Sequence, residues 1–107
     1  MLKFIVVLTR REGTSAVEFE RYFKEVHEPL AKNIPGLKRY VHNFVVDDAR
    51  RKRPEWDAII ELYFDDWASM ESAWESAQGR ASTDDLAVFA DLAKSAWSVV
   101  EEAVILG

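Results

Sequence analysis

The stretch VHEPLAKNIPGLKRYVHN, running from Val26 to Asn43, turns the chain from a helix into a strand and contains both of its histidines. Leading into it and through its start, Phe19, Phe23, Val26 and Leu30 recur at spacings of four, three and four, which places them on one face of a helix. Pro29 lacks an amide donor and restricts the residue before it, so the helix is expected to end or bend near His27. Pro35-Gly36 reads as a tight turn. Beyond it, Leu37 to Val46 alternates in the manner of a strand. The punctuation predicts His27 at the end of a helix and Tyr40 entering the same region from the next strand.

The rest of the chain follows outward from this stretch. Ser15 and Glu18 form a capping box that opens the helix. Before it, Leu2 to Thr9 is a strand that is apolar at nearly every position, followed by a polar loop from Arg10 to Thr14. After it, Asp47 to Glu55 is a charged loop holding Arg50-Arg51-Lys52-Arg53, and Trp56 to Phe64 is a third strand. Asp65-Asp66 caps a helix whose apolar face is Trp67, Met70, Ala73, Trp74 and Ala77, and Gly79 is expected to end it. Ser82-Thr83-Asp84-Asp85 is expected to start another helix carrying Leu86, Phe89, Ala90 and Ala93. Trp97 to Leu106 reads as the last strand. The order β-α-β-β-α-α-β is that of an α+β, ferredoxin-like fold, with a four-stranded antiparallel sheet and its helices on one face. The expectation is one domain over residues 1–107.

Composition narrows the function. The chain has 107 residues, a formal net charge of −5, 49% hydrophobic and 31% charged residues, and no cysteine. An acidic chain lacks the basic face of a nucleic-acid binder, and the four-residue basic run reads as a solvated loop. The absence of cysteine removes disulfides, thiolate metal sites and a cysteine nucleophile, and suits a cytoplasmic location. No run approaches the roughly 20 apolar residues of a membrane span, so no membrane partner is expected. There is no Gly-rich phosphate loop, no GxSxG and no histidine spacing typical of a metal site, so no cofactor or metal is expected.

The strands raise a problem of cover. Leu2, Phe4, Val6 and Leu8 form one set in the first strand, with Ile5 and Val7 on the other face. In the last strand Val99, Ala103 and Ile105 oppose Val100, Val104 and Leu106. Helices can cover one face of such a sheet, and a homodimer packed sheet to sheet is the simplest cover for the other.

Strand parity also selects candidate site residues. In the third strand Trp56, Ala58, Ile60, Leu62 and Phe64 form an apolar set that should pack on the helices. Asp57, Glu61 and Tyr63 should then face the other side, and Tyr40 and His42 are expected to join them. A largely apolar surface with a few polar groups is the composition of a small-molecule pocket. His27 is the candidate general acid or base, because imidazole titrates near neutral pH. Tyr40 can donate to a developing oxyanion, and Asp57 or Glu61 can orient the substrate. Asp57, Glu61, Tyr63 and His42 are candidate substrate-binding residues. A non-catalytic binder or accessory protein of an oxidative pathway, holding a small hydrophobic ligand, is the alternative.

Phe19-x-x-Tyr22-x-x-x-x-His27-x-Pro29-Leu30, Pro35-Gly36-Leu37-x-x-Tyr40, Trp56-Asp57-Ala58 and Glu61-x-x-Phe64-Asp65-Asp66 together resemble the EthD family. The resemblance implies a dimeric α+β barrel, a group that includes methylmuconolactone-type isomerases and monooxygenases of aromatic polyketides. It implies cofactor-independent isomerisation, cyclisation or oxidation of an apolar or aromatic-derived compound. Related lactone isomerases place a histidine at the end of the first helix and a tyrosine early in the second strand, and these correspond to His27 and Tyr40. Their additional histidine, between the second and third strands, has no counterpart in Asp47 to Glu55.

Overall fold

The structure, a computed structural model, describes residues 1–107. Four strands, β1 (Leu2–Leu8), β2 (Arg39–Phe44), β3 (Ala58–Phe64) and β4 (Ala96–Glu101), form one sheet in the order β2-β3-β1-β4. Every neighbouring pair is antiparallel. This is the ferredoxin-like fold the element order predicts. β2, β3 and β4 are each shorter than their apolar runs.

The first helix departs from expectation at its proline. Ser15 caps α1 (Ala16–Tyr22), accepting from the Glu18 amide at 3.1 Å. A π-turn over Phe23–His27 follows, then α2 (Glu28–Ala31). The helix therefore bends through His27 and continues past Pro29 instead of ending. A proline ring crowds the carbonyl four residues before it, and widening the preceding turn relieves that clash. The Glu28 amide bonds Phe23 O, five residues back, and Pro29 falls in the first turn of α2, where a missing amide costs least.

The second helical region breaks earlier than expected. Asp66 caps α3 (Trp67–Glu75), accepting from the Ser69 amide at 2.8 Å. Ser76 makes the break: its hydroxyl donates to Ala73 O at 2.6 Å and accepts from the Gly79 amide at 3.0 Å. α4 (Ala77–Phe89) then runs without interruption through Gly79 and through Ser82–Asp85. Gly79 is thus not a terminator. It is buried in the first turn of α4, where a side chain would collide with the carbonyl of Ala73. A 3-10 turn over Leu92–Lys94 leads into β4.

The core lies between the sheet and the helices. Leu8, Phe19, Phe23, Phe64 and Met70 are its largest fully buried side chains. Ala58, Ile60, Leu62 and Phe64 are buried on the helix side, as parity predicts. The register corrects the reading of β2. Tyr40 lies opposite Leu62 and His42 opposite Ile60, and directly opposed residues share a face. Tyr40 and His42 therefore point toward the helices, while Glu61 and Tyr63 point away from them. Val41 and Val45 made the other set of β2 look equally suited to the core.

Candidate functional site

The same register puts a cavity on the helix side of the sheet. Its volume is about 550 Å³, within the usual range for a small-molecule pocket. The sheet supplies an apolar floor that includes Phe4 and Leu62; Trp74 and Trp97 add aromatic surface. His27 enters from the π-turn and Tyr40 from β2. Arg80, Ser82, Thr83 and Asp84, all from α4, give the lining its polar part.

His27 is only 4% exposed. Its Nδ1 lies 3.0 Å from Asp85 Oδ2, and Tyr22 Oη donates to Asp85 Oδ1 at 2.7 Å. The Phe23 and Phe89 rings stand 5.3 and 5.1 Å from the imidazole. Burial lowers the pKa of His27 below its ordinary value, and the hydrogen bond and charge of Asp85 oppose that shift. The phenol of Tyr22 is pushed up to about 12, first by its bond to Asp85 and then by burial.

Tyr40 and His42 form a second layer. Their rings pack edge to face at 4.4 Å, and Phe23 packs against His42 at 4.2 Å. Burial holds the Tyr40 phenol above its usual range, so it keeps its proton. His42 is pushed down to about 4, chiefly by burial and then by the nearby His27 and Lys24. Its Nδ1 faces Glu28 at 3.4 Å. Tyr40 Oη and His42 Nε2 are both buried with no hydrogen-bond partner. Buried polar atoms are rarely left unpaired, and of these two it is Tyr40 that lines the cavity.

The remaining candidates lie elsewhere. Asp57 is buried beside a separate polar cleft, where it accepts from the Arg10 amide at 2.8 Å, the Arg10 guanidinium at 3.1 Å and the Arg53 guanidinium at 3.3 Å. Glu61 and Tyr63 sit on the outer sheet face. There Lys3 bonds Glu61 at 2.7 Å and Glu102 at 3.0 Å, and Tyr63 Oη donates to Glu102 at 2.8 Å. Lys3, then Asn43, hold the Glu61 carboxyl below its usual range. None of the three faces the cavity that His27 and Tyr40 line. Asp85 takes their place: the sequence placed it in a helix-starting cluster, and α4 instead carries it to His27. Tyr22, its other partner, stood in the recurrent motif without an assigned role. No group of three or more His, Cys, Asp or Glu side chains is placed to hold a metal ion.

The fold and site together define a ferredoxin-like α+β domain with a helix-side cavity lined by a histidine and an unpaired tyrosine. The chain belongs to the EthD family, whose domain model matches residues 11–93. It is similar to an uncharacterised 11.0 kDa protein of the thcB-thcC intergenic region of Rhodococcus erythropolis, with 29% identity over 85 residues, 79% of this chain and 82% of that one. A crystal structure of an EthD-family protein from Bacillus halodurans superimposes with a TM-score of 0.84 at 26% identity, covering 96% of this chain and 99% of that one. A point mutant of the cofactor-independent oxygenase SnoaB from Streptomyces nogalater shares the fold with a TM-score of 0.66 at 14% identity, covering 98% and 97%. Other matching folds are described as dimeric ferredoxin-like proteins. No helix is long and apolar enough to cross a membrane.

Proposed function

We propose that the chain is a homodimeric enzyme that acts on a small apolar or aromatic-derived compound by cofactor-independent acid–base chemistry. The observation that carries this reading is the buried, unpaired Tyr40 hydroxyl lining the same cavity as His27. The substrate carries a carbonyl, lactone or phenol oxygen that accepts from Tyr40. His27 Nε2, which bonds no protein group, takes a proton from an adjacent C–H or from the phenol O–H. The electron pair left behind moves onto the substrate oxygen as an enolate or phenolate, which Tyr40 stabilises by hydrogen bonding. Returning the proton at another atom completes an isomerisation; attack of the enolate carbon on a second carbonyl of the same molecule, with the proton returned to the resulting alkoxide, completes a cyclisation. Attack of the anion's carbon on dioxygen would form a C–O bond and reduce the dioxygen by two electrons to a carbon-bound peroxide, which takes back the proton from His27 as the hydroperoxide; the fold similarity to a cofactor-independent oxygenase supports that branch. The dimer uses the outer sheet face, where Ile5, Val7, Val41 and Ile59 are only partly covered within one copy. The dimeric folds it resembles support this assembly.

The test is histidine side-chain NMR of the labelled protein against a panel of lactones, phenols and quinones, followed by turnover of whichever class perturbs His27. The expected result is a shift of the His27 signals by one class, and loss of turnover in a folded His27→Ala variant. Turnover retained in that variant removes His27 from the chemistry. Binding with no turnover of any panel member favours the non-catalytic carrier.

A further inference from the structure

Tyr22 and His27 are five residues apart, yet both bond one carboxylate. Successive residues of an α-helix are rotated by about 100°, so side chains five apart point roughly 140° away from each other. The π-turn over Phe23–His27 narrows that separation, because bonding between residues five apart widens the turn and brings such residues toward one side. We propose that this π-turn is a positioning device: it sets Tyr22 and His27 on the two oxygens of Asp85 and so holds His27 with its proton on Nδ1 and its Nε2 bare. Asp85 and Tyr22 are then positioning residues for the acid–base role of His27, and their functional meaning rests on that role.

The chemistry of the contact fixes the tautomer. An ionised carboxylate only accepts hydrogen bonds, so the nitrogen 3.0 Å from Asp85 Oδ2 must carry hydrogen. A neutral imidazole has one such hydrogen, which leaves Nε2 with a free lone pair. The phenol of Tyr22, at 2.7 Å, occupies the other carboxylate oxygen and keeps the carboxylate from rotating away from the ring. The Asp85 side chain is itself 11% exposed, so water competes little for its oxygens. The π-turn ends two residues before Pro29, which links the helix-breaking residue of the sequence motif to the geometry of the histidine.

The tautomer of His27 can be read without any ligand, from two-bond nitrogen–proton correlations in the full-length protein labelled on its two histidines. In the wild type at neutral pH the Nδ1–H form of His27 should outweigh the other about tenfold, as a charge-assisted hydrogen bond implies. In Asp85→Ala the population should move to the Nε2–H form, the usual preference of free histidine. In Tyr22→Phe, which keeps the aromatic packing, the Nδ1–H excess should fall severalfold. A wild-type His27 protonated on Nε2, or a tautomer ratio unmoved in both variants, overturns the proposal. If the ratios move as expected but His27→Ala retains turnover, the positioning stands and the catalytic reading fails.

Discussion

Tyr40 combines two effects of opposite sign in one atom. Its hydroxyl is buried without a partner, and such a group typically costs about 1–3 kcal/mol. Tyr40→Phe should therefore leave stability unchanged or raise it by about 1 kcal/mol in urea unfolding. The same change should lower turnover, or affinity for the panel ligand, roughly 100-fold, as removal of an oxyanion donor does. Destabilisation by more than about 1 kcal/mol would mean that the hydroxyl is satisfied within the fold. His42 gives a pH prediction. Its folded pKa of about 4 lies below the unfolded value of 6.5, so the unfolded chain binds more protons between those values. Stability should be full above pH 6.5 and fall as the pH drops toward 4. The loss from His42 is on the order of 3 kcal/mol, at about 1.4 kcal/mol per unit. His42→Leu should flatten that limb in unfolding curves measured at about pH 7 and pH 4.5. At this scale the meeting of His27 and Tyr40 at one cavity was legible because proline and glycine punctuate the chain around them, while the face of the sheet they share was not. Asp85 was not, because it meets His27 across 58 positions of sequence and only the packing of α4 on the first helix brings them together.

The elements were legible as periodicities, and they failed where one residue served a neighbour instead of its own segment. Gly79 follows an apolar helical run, which reads as a stop. In the fold Ser76 makes the stop by bonding both helices, and Gly79 lets the start of α4 approach the end of α3. A glycine inside a helix normally costs about 1 kcal/mol relative to alanine, so Gly→Ala there usually stabilises. Here the sign should reverse. Gly79→Ala should cost about 2–4 kcal/mol, because the added methyl meets backbone that no rotamer change can move. A melting temperature equal to or above that of the wild type would show that the two helices can separate without cost. The parity of β2 failed for a related reason. Aromatic residues and a histidine on one side, and valines on the other, give no decisive polarity difference. The choice falls to the pairing with β3, whose own parity was clear.

The whole molecule sets the polar network of the outer face against its apolar surface. Lys3, near one end of β1 on that face, bonds Glu61 and Glu102, and these carboxylates hold it protonated above the usual lysine range. Beside this network lie Ile5, Val7, Val41 and Ile59. A face of this kind suits a partner that buries the aliphatic centre and leaves the charged part near the rim, which is how stable interfaces divide. A second copy fits, since a two-fold axis presents the same apolar centre from both sides. Ile59→Lys tests this without touching the core, because Ile59 is on the outer face of β3 and the helix-side residues keep their packing. The variant should unfold within about 1 kcal/mol of the wild-type monomer, since it changes no buried contact within one copy. Its dimer dissociation constant in analytical ultracentrifugation should rise at least about 100-fold, as a two-fold interface would then bury two lysines in its desolvated part. The cavity lies on the helix side of the sheet, so ligand binding at His27 and Tyr40 should survive in the monomeric variant. Loss of binding together with the dimer would show that the second copy shapes the pocket as well as covering the sheet.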